Sequence, residues 1–182
     1  MRIHKEIHLE DEICADLAAA GWHYETGDNT RYDRTQALFI DDVVAWIKTS
    51  QPKAWHSIEK SHSASTPQVI ADRLRKSLNS NGTLDVLRQG FDIIGLKQTI
   101  AMCQFKPALS MNAGLQAKYA ANRLRVVRQV HYSVHNENSI DLVLFVNGIP
   151  VATCELKSHY TDRKSIRLNS SHPRLSRMPS SA

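Results

Sequence analysis

The sequence has 182 residues, 42% of them hydrophobic, and a formal net charge of +5 at pH 7, about one domain's worth of chain with enough apolar material for a core. Arg163, Lys164, Arg167, Arg174 and Arg177, set against Asp162, put +4 of that charge after residue 161 and leave +1 for residues 1–161, so basicity gives no ground for a nucleic-acid reading. The charged start "MRIHKEIHLEDEIC" has no signal-peptide block, no apolar run nears the roughly 20 residues of a membrane helix, and Cys14, Cys103 and Cys154 lack disulfide or zinc spacing; a cytoplasmic protein with no membrane partner is expected.

Ile7, Ile13, Leu17 and Ala20 stand close to helical spacing, which predicts a helix over 6–20 with Gly21 as its C-cap. Asp41-Asp42 opens a second helix, "VVAWIKTS", that must end before Pro52. Thr66-Pro67 starts a third, lined by Ile70, Leu74 and Leu78 and closed by "NSNG" at 79–82. "TLDVLRQG" adds a helical turn or two, and "FDIIG" and "QTIAMCQF" read as short strands. "PALSMNAG" is a loop, "LQAKYAANRL" a short helix, "RVVRQVHYS" a strand, and "HNENS" a polar connection. Helices followed by strands predict an α/β fold.

The last strands form a hairpin, "DLVLFVNGIPVATCELKS" at 141–158, with Asn147-Gly148 as its turn. Its centre is apolar, yet Asp141 stands at one open end and Glu155 and Lys157 at the other. Phosphodiester hydrolysis needs a divalent cation near the scissile phosphate. Mg²⁺ takes one or two carboxylates together with substrate oxygens and waters. Asp141 and Glu155 supply carboxylates, and Lys157, two residues on, shares the face of Glu155; its ammonium can hold the attacking water or offset transition-state charge. An E-x-K triplet alone arises by chance in roughly half of chains this long. The plainer alternative is an amphipathic edge hairpin with its charged ends in water, and spacing does not separate the two. Geometry does: an unshifted two-residue turn would set Asp141 opposite Cys154, away from Glu155, so a shared site requires a bulged or shifted hairpin. A three-residue loop with Gly148 left-handed would provide one.

From Asp162 onward the apolar periodicity stops. Asp162 to His172, apart from Ile166, and Ser176 to Ala182 match a translated sequencing adapter in one register. Residues 162–182 are therefore read as a non-native, disordered tail, and 1–161 as an incomplete nuclease domain that is inactive alone.

"NRLRVVRQVHYS", "SIDLVLFVNGIPVATCELKS" and "GTLDVLRQGFDIIG" resemble the N-terminal nuclease region of the restriction (R) subunit of type I restriction–modification enzymes. The resemblance implies the PD-(D/E)xK restriction-endonuclease-like core, a mixed sheet flanked by helices. It implies Asp141 and Glu155 as metal ligands, Lys157 as the catalytic lysine, the Leu156 carbonyl as a further ligand, and Glu10 or Glu12 as a helix-borne glutamate completing the site. It also implies Mg²⁺ as cofactor, ATP only in a full-length protein with translocase domains, and double-stranded DNA with methylation (M) and specificity (S) subunits as partners. The family's Gln-x-x-x-Tyr element, which follows the E-x-K strand, is missing here. Two readings stand beside the type I endonuclease: a non-catalytic assembly or DNA-binding module, and another E-x-K nuclease such as a resolvase or repair enzyme. "HKEIH" at 4–8 lacks the order and third ligand of a zinc helix. Trp46 and Trp55 read as packing aromatics, and Arg123, Arg125 and Arg128 as a solvated basic strand face.

Overall fold

Ile13, Cys14 and Leu17 sit on one stripe of the first helix, α1 (Ile3–Ala19), and pack against strand residues Val126 and Leu142. The helix ends where Gly21 takes φ 91°, with the Gly21 and Trp22 amides bonded back to Ala18 and Leu17, a left-handed stop that favours glycine. The computed structural model describes residues 3–108 and 112–156, with side chains from residue 7. Two compact units emerge, one from residues 3–39 and 123–156, the other from 40–108 and 112–122.

The first unit carries α1, the four-residue turn α2 (Asp28–Arg31) and an antiparallel sheet of β1 (Leu124–His131), β2 (Ser139–Val146) and β3 (Ile149–Cys154), in that order. Its two faces bury separate clusters. Tyr32, Phe39, Val127, Val130, Val143 and Phe145 form one, with Phe145 edge-on to both Tyr32 and Phe39. Cys14, Val126 and Leu142 form the other, beneath α1. Burying one such large side chain contributes about 1.5–3 kcal/mol, so the alternating strands are held from both sides. The mixed α/β class is the expected one; parallel pairing is confined among the described residues to one bridge, His23 to Arg125.

The turn is tied down on two sides. The Phe39 amide donates to the Gly148 carbonyl at 2.9 Å, the Arg123 amide to Asn147 Oδ1 at 2.7 Å, and the Asn147 amide to the Arg123 carbonyl at 2.8 Å.

The second unit is mostly helical: α3 (Ile40–Ser50), α4 (Pro52–His62), α5 (Thr66–Asn81), α6 (Thr83–Gln89) and α7 (Ala113–Ala120). Val43, Trp46 and Ile47 recur at helical spacing on α3, and Ile70, Ala71 and Leu74 on α5, all buried. Helix α4 was not expected; it starts on Pro52 and buries Ala54, Trp55 and Ile58. The strands expected in "FDIIG" and "QTIAMCQF" are reduced to one bridge between Phe91 and Ile100. The Gln51 side chain instead clasps the backbone of Ala101, donating to its carbonyl at 2.8 Å and accepting from its amide at 2.9 Å. Trp46 Nε1 donates to the same carbonyl at 2.8 Å, so both tryptophans are packing residues as expected. Among the described residues no helix is long and apolar enough to cross a membrane.

Candidate active site

Asn147 and Gly148 take φ 50° and 84°, the two left-handed residues of a type I′ turn. The hairpin therefore begins unshifted, pairing Val146 with Ile149 and Phe145 with Pro150. One step further the register slips: Leu144 pairs with Ala152, Val143 with Thr153 and Leu142 with Cys154. Val151 is the extra residue, a bulge beside Pro150, which has no amide proton to give the ladder. The hairpin is shifted, as a shared site requires, but inside β3 rather than at the turn. Continuing the slipped register by one residue sets Asp141 opposite Glu155. The Leu156 amide donates to Asp141 Oδ2 at 2.6 Å, which fixes one carboxylate oxygen at the open end. Glu155 itself is exposed. Lys157 lies outside the described residues.

Alternation also breaks across β1 and β2. Val127 and Val130, three positions apart, join the same cluster, and so do Val143 and Ile140, whereas a regular strand brings together residues two apart. The break falls at Gln129, whose φ is 48°, and at Asp141, the two residues the ladder skips between the pairs Arg128–Leu142 and Val130–Ile140. Gln129 Nε2 donates to Asp141 Oδ1 at 3.4 Å and to Glu10 Oε1 at 2.9 Å, and Gln129 Oε1 accepts from the Ser139 hydroxyl at 2.8 Å.

Glu10 lies one helical turn before Cys14 on the stripe of α1 that faces the sheet, and it is 4% exposed. Its second oxygen, Oε2, accepts from Arg128 Nε at 2.9 Å and forms an ion pair with Nη2, also at 2.9 Å. Arg128 also pairs with Asp11 and donates to the Tyr24 hydroxyl at 3.4 Å. Burial alone would lower the Arg128 guanidinium; its hydrogen bonds to Tyr24 and Glu10 more than offset that and hold it above the usual arginine range. It stays cationic, so the Glu10 carboxylate keeps a permanent counter-charge. Of the two candidate glutamates, Glu10 is thus the one drawn to Asp141, while Glu12 is exposed on the helix surface.

The cysteines register the same field. Burial raises the Cys154 thiol, and the Asp141 and Glu155 carboxylates beside it raise it further. Burial likewise pushes Cys14 up to about 11; Arg128 pulls it back in part, and Glu10 and Asp11 add to the rise. Since the thiolate is the nucleophile, Cys14 should resist alkylation by iodoacetamide at pH 8 in the folded chain and react on unfolding. Full labelling under native conditions within the time needed by a free thiol would contradict its burial.

The basic strand face expected at Arg123, Arg125 and Arg128 is not solvated at its centre. Arg125 Nη1 lies 2.5 Å from Asp28 Oδ2, with side chains 3% and 2% exposed, and its guanidinium stacks over Phe39 at 4.3 Å. Arg128 is given to Glu10 and Asp11. Sequence reading missed Gln129 and the partners of both arginines; the available signal was a polar pair, Arg128-Gln129, set between Val126-Val127 and Val130 where strict alternation would allow one polar residue.

Among the described residues no three His, Cys, Asp or Glu side chains gather into a metal cage of their own. What the fold brings together is two carboxylates, Glu10 and Asp141, each with one oxygen anchored and the other turned to the same amide nitrogen. Hard oxygen donors of this kind suit Mg²⁺, which needs only one or two protein carboxylates. Neither a curated protein nor a solved structure matches the chain. A family model, type I restriction enzyme R protein N terminus, matches residues 4–169, running past residue 161 into the segment that resembles adapter sequence. The chain belongs to the family of type I restriction enzyme R protein N-terminal regions.

Proposed function

We propose that this chain is the Mg²⁺-dependent endonuclease region of a type I restriction enzyme R subunit, hydrolysing phosphodiester bonds of unmodified double-stranded DNA. The observation that carries the reading is the convergence of Glu10 Oε1 and Asp141 Oδ1 on one point beside the open end of the hairpin; the bulged register, carried one residue past the Leu142–Cys154 pair, sets Asp141 opposite Glu155. Family membership supplies the chemical context.

Asp141 and Glu155, with Glu10 beside them and the Leu156 carbonyl as a further donor, would hold the cation. Bound there, it would offset phosphate charge and ease deprotonation of water. Lys157 follows two residues after Glu155, the spacing at which an ammonium can orient the attacking water and stabilise charge on the phosphoryl oxygens. Arg128 neutralises Glu10 from behind, which lets an acidic cluster persist near a polyanionic substrate. ATP-driven translocation would belong to domains outside this region, and target reading and methylation to S and M subunits of a cytoplasmic complex.

Thermal unfolding of the full chain with Mg²⁺ or Mn²⁺ tests the site. At a free metal concentration 100 times the dissociation constant, stabilisation of about 2.7 kcal/mol is expected, and Glu155→Gln should lose most of it. Equal gains in wild type and variant would remove Glu155 from the site. No gain in either would favour a non-catalytic module whose charges only cap a hairpin.

A further inference from the structure

Gln129 is the least expected residue of the first unit. A non-glycine residue at positive φ within a strand is held there by its surroundings at a cost of order 1–3 kcal/mol, and here φ is 48°. The surroundings are specific. The Ser139 hydroxyl binds Gln129 Oε1 at 2.8 Å, which turns the NH₂ group toward Glu10 and Asp141. Ionised carboxylates accept only, so no other orientation of the amide satisfies all three neighbours.

Each carboxylate is divided in the same way. Glu10 gives Oε2 to Arg128 and Oε1 to Gln129. Asp141 gives Oδ2 to the Leu156 amide and Oδ1 to Gln129. The two remaining oxygens thus meet at a single nitrogen that is neutral overall but carries partial positive charge. We propose that Gln129 is a positioning residue whose amide nitrogen stands in for the cation, holding Glu10 and Asp141 aimed at a common point until metal displaces it. The inference rests on the metal-site reading above.

A cation entering that point binds oxygens at about 2.0–2.1 Å, shorter than either amide contact, so the two oxygens must close in and the amide must leave. Gln129 is then a competitor of the metal as well as a support for the metal-free fold. Removing it has a paired signature: lower stability without metal and tighter metal binding. A merely structural residue would weaken both, and a ligand would weaken binding alone.

The experiment is a Mn²⁺ titration of the full chain followed by thermal unfolding, in wild type, Gln129→Gly and Gln129→Lys. Glycine accepts the positive φ, so Gln129→Gly removes the amide without adding strain. Its melting temperature without metal should fall, and its Mn²⁺ midpoint should drop on the order of tenfold, as expected for losing hydrogen bonds to charged groups. Gln129→Lys places a fixed cation there, and should keep the metal-free melting temperature while abolishing the Mn²⁺ response. If Gln129→Gly does not fold, the Lys variant decides alone. A wild type that responds to Mn²⁺ beside a Gln129→Gly midpoint that is unchanged or raised, or a Gln129→Lys variant with the wild-type midpoint, overturns the placeholder and leaves the metal site standing. A wild type that does not respond overturns both.

Discussion

In an intact type I enzyme carrying this N-terminal region, Asp141→Asn is expected to slow DNA cleavage on the order of 10²–10⁴-fold, the scale of losing transition-state charge stabilisation together with poised proton transfer. The substitution is informative because it divides the two jobs of the side chain. Asparagine keeps an oxygen to accept the Leu156 amide, bonded to Asp141 at 2.6 Å, so the open end of the hairpin stays closed. It loses the charge that a metal site needs. Its NH₂ group then faces the Gln129 Nε2 donor, 3.4 Å from Asp141 Oδ1, so stability should fall by about 1 kcal/mol, whereas Asp141→Ala also loses the Leu156 bond and should cost about 1.5–3 kcal/mol, the usual worth of a hydrogen bond to a charged group. Lys157→Ala should match the loss in rate while sparing DNA binding and ATP hydrolysis. Plasmid cleavage under single-turnover conditions, read beside urea unfolding, checks each part. Wild-type cleavage by Asp141→Asn would remove the site from this hairpin.

Arg125→Ala should destabilise the first unit by about 3–5 kcal/mol, the penalty for breaking a buried ion pair from one side. Asp28 is 2% exposed, and without the Arg125 contact at 2.5 Å its carboxylate is left with weaker contacts, Arg31 at 3.2 Å and the Glu25 amide at 3.3 Å. Arg31 is itself 44% exposed and shared with Glu25, so it is a poor substitute. The change also removes the nearer of two guanidinium groups over Phe39, Arg125 at 4.3 Å, and leaves Arg31 at 5.4 Å. Removing both partners, as Asp28→Ala with Arg125→Met, leaves no orphaned charge and should restore a large part of the loss. Urea unfolding of Asp28→Ala, Arg125→Met and the double variant completes the cycle, with Arg125→Ala measured beside them. A single-variant loss below about 1 kcal/mol, the range of exposed pairs, would contradict the burial of this one.

These two residues also mark what could and could not be read from sequence. The hairpin was legible because Asn-Gly between apolar alternations is a local signal, and α5 because Thr66-Pro67 punctuates its start. Helix α4 was not: "PKAWHSIEKSH" buries only Ala54, Trp55 and Ile58, too short a stripe to stand out among polar neighbours. Strands were expected where only Phe91 and Ile100 meet, since a short apolar run does not say whether a partner lies alongside. Within the site, Asp141 and Glu155 were visible as residue types, and the need for a register shift followed from parity. The place of the shift, at Val151, depends on how Pro150 fits an edge strand and leaves no trace in spacing. Arg125 and Asp28, or Arg128 and Glu10, meet only through tertiary packing of distant segments. Nothing local announces such pairs, so arginines on a strand read by default as solvated.

The anchoring of the hairpin turn to Phe39 on one side and Arg123 on the other sets the order in which the protein can be built. As the chain is synthesised, α1 emerges first, and everything from residue 40 to 122 follows before β1 exists. The helical unit is contiguous and complete at that stage. The sheet unit is not: closing an excursion of that length costs about 4 kcal/mol in chain entropy, and no strand is yet present to offset it. Glu10 and Cys14 must wait on a helix without its floor until Val126, Arg128 and Leu142 arrive. Glu10, Gln129 and Asp141 thus come together only after β1 and β2 have emerged, and no nascent fragment that stops short of Asp141 can carry the site.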